Sequence, residues 1–215
     1  MATIVWARHG QNVANLTRTL SFRSYDGDLT ELGQRQAREL GRALAARQAD
    51  PVGRIVSSPL RRARQTADIV ASTLRLEVSA ELDDLREVNV GDLDGRGDPD
   101  AWEIYDHVLA AWRAGSDEVR FPGGENCREL CARLRRALCQ LADAGLPAGQ
   151  ASLVVAHGAS LRAALPALTG LPDPGADLPT GTFATLDVSG GRGGRVRVAG
   201  WPAGRCDAGS ADRQP

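Results

Sequence analysis

The chain has 215 residues, of which 42% are hydrophobic, and its formal net charge at pH 7 is −1. This length suits one domain with a sizeable core, and the balanced charge argues against nucleic acid or a membrane surface as the main partner. All 26 basic residues are arginine, which excludes lysine chemistry such as a Schiff base. We find no signal-peptide pattern and no apolar run as long as a membrane span, so we expect a cytoplasmic protein.

The first half of the chain alternates predicted strands and helices. Residues 3–7 are rich in β-branched and aromatic side chains and predict a buried strand that ends at Arg8-His9-Gly10. Thr30 predicts the N-cap of a helix that ends before Pro51, and residues 54–57 predict a second strand.

Ser58 then predicts an N-cap with Pro59 at the first helical position, and residues 76–79 predict a third strand. This β-α-β-α-β order is typical of a parallel sheet with right-handed crossovers.

The second half begins with an irregular acidic segment at residues 81–97. Helices are predicted at 101–114, 126–144 and 159–168, a central strand at 152–156, and an antiparallel hairpin at 182–188 and 195–200. Trp102 and Tyr105 on the first of these helices could pack on the core or line a substrate pocket. Cys127, Cys131 and Cys139 share the next helix, which predicts reduced thiols and neither a zinc site nor a redox pair; the fourth cysteine is Cys206.

Two of the three histidines, His9 and His157, end apolar strands and are each followed by glycine. Because parallel strands end at the same sheet edge, both histidines, Arg8 and the helix start carrying Arg61 and Arg62 can converge there. Backbone N–H groups at a helix start and arginine side chains form a cationic pocket that suits a phosphoryl group.

The residue types then leave a histidine as the nucleophile. The sequence has no Walker loop and no Asp-x-Asp pair at a strand end, and the phosphatase signature Cys-x5-Arg would need Cys127 and Arg133, which lie within a helix. A neutral imidazole attacks phosphorus readily, and a carboxyl group must protonate the leaving oxygen. The acidic segment offers five carboxyl groups among which these arguments do not choose: Asp83, Asp84, Glu87, Asp92 and Asp94.

Six stretches in a fixed order make the chain resemble the histidine phosphatase superfamily, in its phosphoglycerate-mutase-like branch. They are Arg8-His9-Gly10-Gln11 with Asn15; residues 29–33 with Gln36-Ala37; residues 57–67; Leu85-Arg86-Glu87 with Gly91 and Gly95; residues 122–125; and residues 155–158. The resemblance covers residues 3–188. It implies a three-layer α/β/α sandwich whose mostly parallel sheet has an antiparallel edge. We expect one domain at residues 1–203, a small helical cap at about 92–122, and a disordered tail at 204–215.

The resemblance also assigns roles to residues. His9 is implied to be the nucleophile that becomes phosphohistidine, and Glu87 the proton donor and then the base for water. The remaining implied site residues bind the phosphoryl group or the substrate: Arg8, Arg62, His157, Gly158 and Asn15. No cofactor and no metal ion is implied.

Phe22 and Arg23 depart from the family pattern, which often has glycine in this loop before the residue matching Asp26. Phe22 would narrow or reshape the substrate mouth, and Arg23 could meet a second polar or anionic group. Asn12 also stands where the family usually has threonine or serine. These departures bear on which substrate the chain accepts more than on its chemistry.

We call residues 83–95, which contain Glu87, the glutamate loop. A phosphatase is favoured over a mutase, because mutases of the family carry a long basic insertion after this loop. Here residues 96–121 contain only three basic residues, Arg96, Arg113 and Arg120. The expected substrate is a small phosphorylated metabolite: a sugar phosphate, a phosphoglycerate derivative or the nucleotide-loop phosphate of cobalamin synthesis. A phospho-ligand-binding module without turnover is the alternative of another class, and a homodimer is a family expectation.

Overall fold

We describe a computed structural model of the chain at residues 1–23, 25–171, 178–191 and 194–200. The predicted disordered tail and Cys206 lie outside these residues. The strands are β1 (Ala2–Arg8), β2 (Val52–Ser57), β3 (Val78–Glu81), β4 (Ala151–Ala156), β5 (Phe183–Val188) and β6 (Val196–Gly200). The helices are α1 (Val13–Thr17), α2 (Glu31–Ala45), α3 (Arg61–Leu74), α4 (Pro99–Arg113), α5 (Cys127–Asp143) and α6 (Gly158–Thr169).

The six strands form one mixed sheet in the order β3-β2-β4-β1-β5-β6. β1 and β2 both pair in parallel with β4, and β2 pairs in parallel with β3. β5 pairs antiparallel with β1, and β6 continues that antiparallel edge. The predicted α/β fold with a mostly parallel sheet and an antiparallel edge is confirmed.

Alternate residues of the central strands enter two separate apolar cores, one on each face of the sheet. Val5 and Leu153 pack with residues of α2 and α3. Trp6 and Val154 pack on the other face with residues of α4, α5 and α6. All six residues of β4 are buried, as expected of a central strand covered on both faces.

The predicted helix start at Ser58 is wrong. α3 begins at Arg61, and its N-cap is Leu60, which makes no side-chain cap hydrogen bond. The Ser58 hydroxyl instead contacts the ring of His157 at 2.8 Å. The third strand also begins two residues later than predicted, because Arg75 ends α3 in the left-handed conformation before the chain extends.

The aromatic residues of α4 mainly build core. Trp112 is 5% exposed, and its ring packs edge-on against that of Phe121, which is fully buried. Tyr105 packs on Phe121, whereas the Trp102 indole N–H donates to the Arg18 carbonyl at 2.9 Å, next to α1. The core alternative therefore accounts for most of this cluster.

Within the described ranges, no helix has both the length and the hydropathy needed to span a membrane.

Two glycines let the loop after β1 lie directly on the first turn of α2. A Cβ on Gly33 would collide with the Gln11 carbonyl oxygen, and one on Gly10 would collide with the carbonyl oxygen of Gly33. We expect Gly33→Ala to lower the free energy of unfolding by about 1–3 kcal/mol, because backbone atoms cannot yield as a flexible side chain can. Urea denaturation of this variant beside Gln34→Ala, which alters an exposed position of the same helix, tests this; equal stabilities would contradict the close packing.

Candidate active site

His9 follows β1 directly and is only 3% exposed. Its Nδ1 lies 2.7 Å from the carbonyl oxygen of Gly10. A carbonyl oxygen only accepts hydrogen bonds, so Nδ1 carries the ring proton of the neutral imidazole. The lone pair therefore resides on Nε2, which is the atom that can attack an electrophile.

Arg62 faces this lone pair from the first turn of α3. Its Nε lies 3.1 Å from His9 Nε2 and donates to it, and the residue is 2% exposed. The two terminal nitrogens donate to the hydroxyl and carbonyl oxygens of Ser21 at 3.0 and 2.9 Å. Asp26 lies 3.5 Å from Arg62 Nη1. The guanidinium is thus fixed beside the imidazole by the loop that contains Ser21 and Asp26.

His157 is brought to the same place by β4, as the N-cap residue of α6. Its ring centroid is 5.2 Å from that of His9, and the residue is completely buried. Nε2 hydrogen bonds with the Ser58 hydroxyl, and Nδ1 is buried without a hydrogen-bond partner among the described residues. A buried polar atom without a partner costs free energy that a ligand can recover.

Both histidines are held in the neutral form. Burial lowers the pKa of His9 well below its usual value, and the positive charges of Arg62 and Arg8 lower it further. Burial likewise lowers the pKa of His157, and the positive charge of Arg62 lowers it further. A neutral His9 is the form with a nucleophilic nitrogen, whereas an imidazolium is not a nucleophile.

These pKa shifts predict how stability depends on pH. The unfolded histidines take up protons near pH 6.5 and the folded ones do not, so the free energy of unfolding should fall as pH drops below that value. Each buried histidine should account for roughly 1 kcal/mol of the loss between pH 7.5 and 5.5. Urea denaturation at both pH values should show a correspondingly smaller loss in His157→Gln. His107→Gln, at an exposed position, is the matched control; an undiminished loss in His157→Gln would contradict the assignment.

Glu87 lies in the irregular segment and is partly exposed. Its Oε1 accepts the N–H of Ser160 at 2.7 Å and that of Val88 at 3.0 Å. Ser160 is the third residue of α6, where a helix has N–H groups without intrahelical partners. This places the carboxylate at the start of the helix that follows His157.

Arg8 and Gly158 lie against each other at the end of the sheet. A Cβ on Gly158 would lie 2.8 Å from the Arg8 side chain, so glycine gives the arginine room to pass. Arg8 Nη1 donates to the Leu178 carbonyl at 2.8 Å. The Gly10 N–H donates to the Thr66 hydroxyl at 3.0 Å, which ties the loop after β1 to α3.

The hydrogen bonds of the other predicted site residues, Asn15, Phe22 and Arg23, go to residues other than His9, Arg62 and His157. Asn15 forms a reciprocal capping box with Asn12 at the start of α1. The backbone N–H groups of Phe22 and Arg23 both donate to the Asp94 carboxylate, at 2.7 and 2.9 Å. The Phe22 side chain is half-buried against the core that contains Trp6, and Arg23 is exposed.

The structure thus brings together His9, Arg62 and His157, with Arg8, Gly158 and Glu87 at the same sheet edge. Sequence reasoning missed the groups that fix them, which are Ser21, Ser58, Thr66 and Ser160. Thr66 could have been found, since it lies one helical turn after Arg62 and therefore on the same face of α3. The other three contacts join residues far apart in sequence, so spacing carried no signal for them.

Comparisons with known proteins match most of the chain. A sequence model described as "Histidine phosphatase superfamily (branch 1)" matches residues 4–201. The "Probable phosphoglycerate mutase GpmB" of Yersinia enterocolitica is 35% identical over 176 residues, which is 80% of this chain and 77% of that protein.

Solved structures give similar matches. A mycobacterial glucosyl-3-phosphoglycerate phosphatase in complex with VO3 has a TM-score of 0.76 and 28% identity, covering 94% of this chain and 98% of that chain. A structure titled "Mycobacterial hydrolase 1" has a TM-score of 0.78 and 27% identity, with 95% of this chain and all of the other covered.

Proposed function

Because the chain belongs to the histidine phosphatase superfamily, we propose that it is a metal-independent phosphomonoesterase that acts through a phosphohistidine on His9. The observation that carries the proposal is the neutral His9 ring, whose Nε2 lone pair faces the buried guanidinium of Arg62. The arginines supply the positive charge that phosphoryl transfer requires, so the proposed site has no need of a metal ion.

In the first step, His9 Nε2 attacks phosphorus and the bond from phosphorus to the ester oxygen breaks. The His9 Nδ1 proton stays on the ring, hydrogen-bonded to the Gly10 carbonyl oxygen, and Glu87 gives its carboxyl proton to the leaving oxygen. Arg62 donates to the phosphoryl oxygens instead of the nitrogen lone pair, and Arg8 adds a second positive charge. If Ser58 donates to His157 Nε2, the ring proton lies on Nδ1. This atom, which has no partner in the described part of the structure, can then donate to a phosphoryl oxygen.

In the second step, water attacks phosphorus and the bond to His9 Nε2 breaks. Glu87, now a carboxylate, takes a proton from the water, inorganic phosphate leaves, and neutral His9 is restored. The same group acts as acid and then as base, because it gives up a proton in the first step and takes one up in the second. The partial exposure of Glu87 gives water access to it.

A phosphomutase is the alternative within the same chemistry, and the name of the Yersinia relative favours it. The segment between the glutamate loop and α5 supports hydrolysis instead. Arg96 pairs with Asp98, and Arg120 pairs with Glu129, so these two cations already have carboxylate partners. A mutase needs cations that retain a phosphorylated product until its second transfer.

The proposed substrate is a small phosphorylated metabolite such as a sugar phosphate. A structural relative named as a glucosyl-3-phosphoglycerate phosphatase supports phosphorylated glycerate and sugar derivatives as the first to be tested. We also propose a small helical cap at about residues 92–122 within one domain at residues 1–203. A cytoplasmic location and a possible homodimer complete the proposal, with neither nucleic acid nor a membrane as a partner.

Phosphate release from a panel of monoesters, with chelator present, tests the proposal. We expect turnover of sugar phosphates or phosphoglycerate derivatives under these conditions. Conversion of 3-phosphoglycerate to its 2-isomer, primed by a bisphosphoglycerate and followed by ³¹P NMR, with no phosphate release would establish the mutase. Saturable binding of the same esters without any turnover would establish the binding module.

A further inference from the structure

Arg133 lies in the middle of α5, outside the cluster of site residues, yet its side chain is only 12% exposed. Its guanidinium donates to three backbone carbonyl oxygens of the glutamate loop: to Asp84 at 2.8 Å, to Arg86 at 2.7 Å and to Glu87 at 2.9 Å. One side chain of α5 thus binds the backbone carbonyl groups of three residues in this loop.

Glu125 completes this arrangement from the opposite side. Its two oxygens accept from Arg133 Nη2 and Nε at 2.7 and 2.9 Å, and its side chain is 9% exposed. Glu125 Oε1 also accepts the N–H of Asn89 at 2.8 Å, and the Glu125 N–H donates to the Asn89 carbonyl. The buried pair therefore holds the backbone both before and after Glu87.

The glutamate loop has little regular structure to fix it otherwise. It contains a short 3₁₀ turn at Asp83–Leu85 and then runs without a strand or helix to Gly91. A bidentate arginine–carboxylate pair is directional, and a buried one whose remaining donors are satisfied is rigid. Such a pair can set where the Glu87 carboxylate lies relative to α6.

We propose that Arg133 and Glu125 are positioning residues that hold the Glu87 carboxyl group where it can protonate the leaving oxygen. The proposal rests on the proposed function, in which Glu87 is the general acid. A proton donor must lie within hydrogen-bond reach of the atom it serves, and a displacement of about 1 Å can cost on the order of 100-fold in rate. Neither Arg133 nor Glu125 touches the reacting atoms.

Arg133→Lys is the test variant, because lysine keeps the charge opposite Glu125 but has no planar fork to reach three carbonyls. Arg136→Lys is the matched control. Arg136 lies on the same helix and pairs with the Asp84 side chain of the same loop, but it is 64% exposed. Glu125→Gln, which retains an acceptor for the Asn89 N–H but removes the charge, is the second variant if Arg133→Lys does not fold.

The kinetic readout is kcat/KM with two leaving groups, since a good leaving group departs without a proton. We expect Arg133→Lys to lower kcat/KM for an alkyl phosphate by about 10- to 100-fold and for 2,4-dinitrophenyl phosphate by less than about threefold. Arg136→Lys should resemble the wild type with both. A general loss of folded protein would lower both values equally, so the selective loss marks positioning.

Amide hydrogen exchange gives a readout that does not depend on turnover. The Ser160 N–H has no partner within α6 and donates to Glu87 Oε1, so its exchange rate reports where the carboxylate lies. We expect faster exchange at Ser160 in Arg133→Lys and the wild-type rate in Arg136→Lys.

The outcomes separate the two proposals. Wild-type exchange at Ser160 with equal losses for both substrates in Arg133→Lys, while Glu87→Gln is selective, overturns the positioning role and leaves the phosphatase intact. If Glu87→Gln shows no leaving-group selectivity, Glu87 is not the acid, and the positioning role proposed for Arg133 and Glu125 is overturned as well. Selective loss together with faster exchange supports the proposal.

Discussion

His9→Ala should abolish phosphate release, with kcat falling by roughly 10⁴-fold or more, because no other group in the site offers a free nitrogen lone pair at the same position. In the described part of the chain, the nearest imidazole is that of His157, whose Nε2 is engaged with Ser58 and whose Nδ1 carries the ring proton in the proposed mechanism. His107→Ala, at an exposed position of α4, is the matched control and should keep wild-type activity. Undiminished turnover in His9→Ala would contradict the mechanism.

Covalent trapping shows which histidine carries the phosphoryl group. Trypsin cleaves after arginine, so His9 lies in the peptide of residues 9–18 and His157 in the peptide of residues 137–162. Wild-type protein quenched in alkali during turnover of a ³²P-labelled ester should carry label in the first peptide only. Label in residues 137–162 would instead make His157 the nucleophile and His9 a phosphate ligand.

The convergence of the two histidines at one edge of the sheet was predictable from sequence, because it depends on patterns that repeat locally. β1 and β4 are short apolar runs that each end in His-Gly, and a parallel arrangement forces their carboxyl ends together. The alternation of strands and helices then fixed the fold class. Each of these inferences uses only residues that are neighbours along the chain.

The contacts that tune the site were not predictable in this way. Ser58 has the composition and position of an N-cap, but its hydroxyl contacts His157, 99 residues later in the chain. The competing partner comes from another strand, so local helix-capping rules give the wrong start for α3. Arg133 is similar: within α5 it is one arginine among several, and only the folded chain brings the carbonyl groups of the glutamate loop to it.

The choice among five acidic residues could not be made from residue types either. The segment that carries them has no hydrophobic periodicity, so the sequence does not show which of their side chains face the site. In the structure, Asp83 pairs with Arg86, Asp84 pairs with Arg136, and Asp94 holds the backbone of Phe22 and Arg23. Of the five, Glu87 is the one whose side chain accepts from the start of α6, directly after His157.

Glu87→Gln should therefore separate the two proton transfers of the proposed mechanism. Glutamine keeps an oxygen that can accept the N–H groups of Ser160 and Val88, so the loop should retain its position. An amide cannot give up a proton to an alkoxide, and kcat/KM for an alkyl phosphate should fall by about 10²–10⁴-fold. For 2,4-dinitrophenyl phosphate, whose leaving group needs no proton, kcat/KM should fall by less than about tenfold.

The same variant should also lack the base for the second step. With 2,4-dinitrophenyl phosphate, the phosphoenzyme then forms faster than water can attack it, so we expect a burst of dinitrophenolate equal to the enzyme concentration and a slow steady rate after it. Because a single group serves as acid in the first step and as base in the second, its loss must impair both steps at once. An equal loss of kcat/KM with both leaving groups, and no burst, would show that the proton comes from elsewhere and would remove Glu87 from the chemistry.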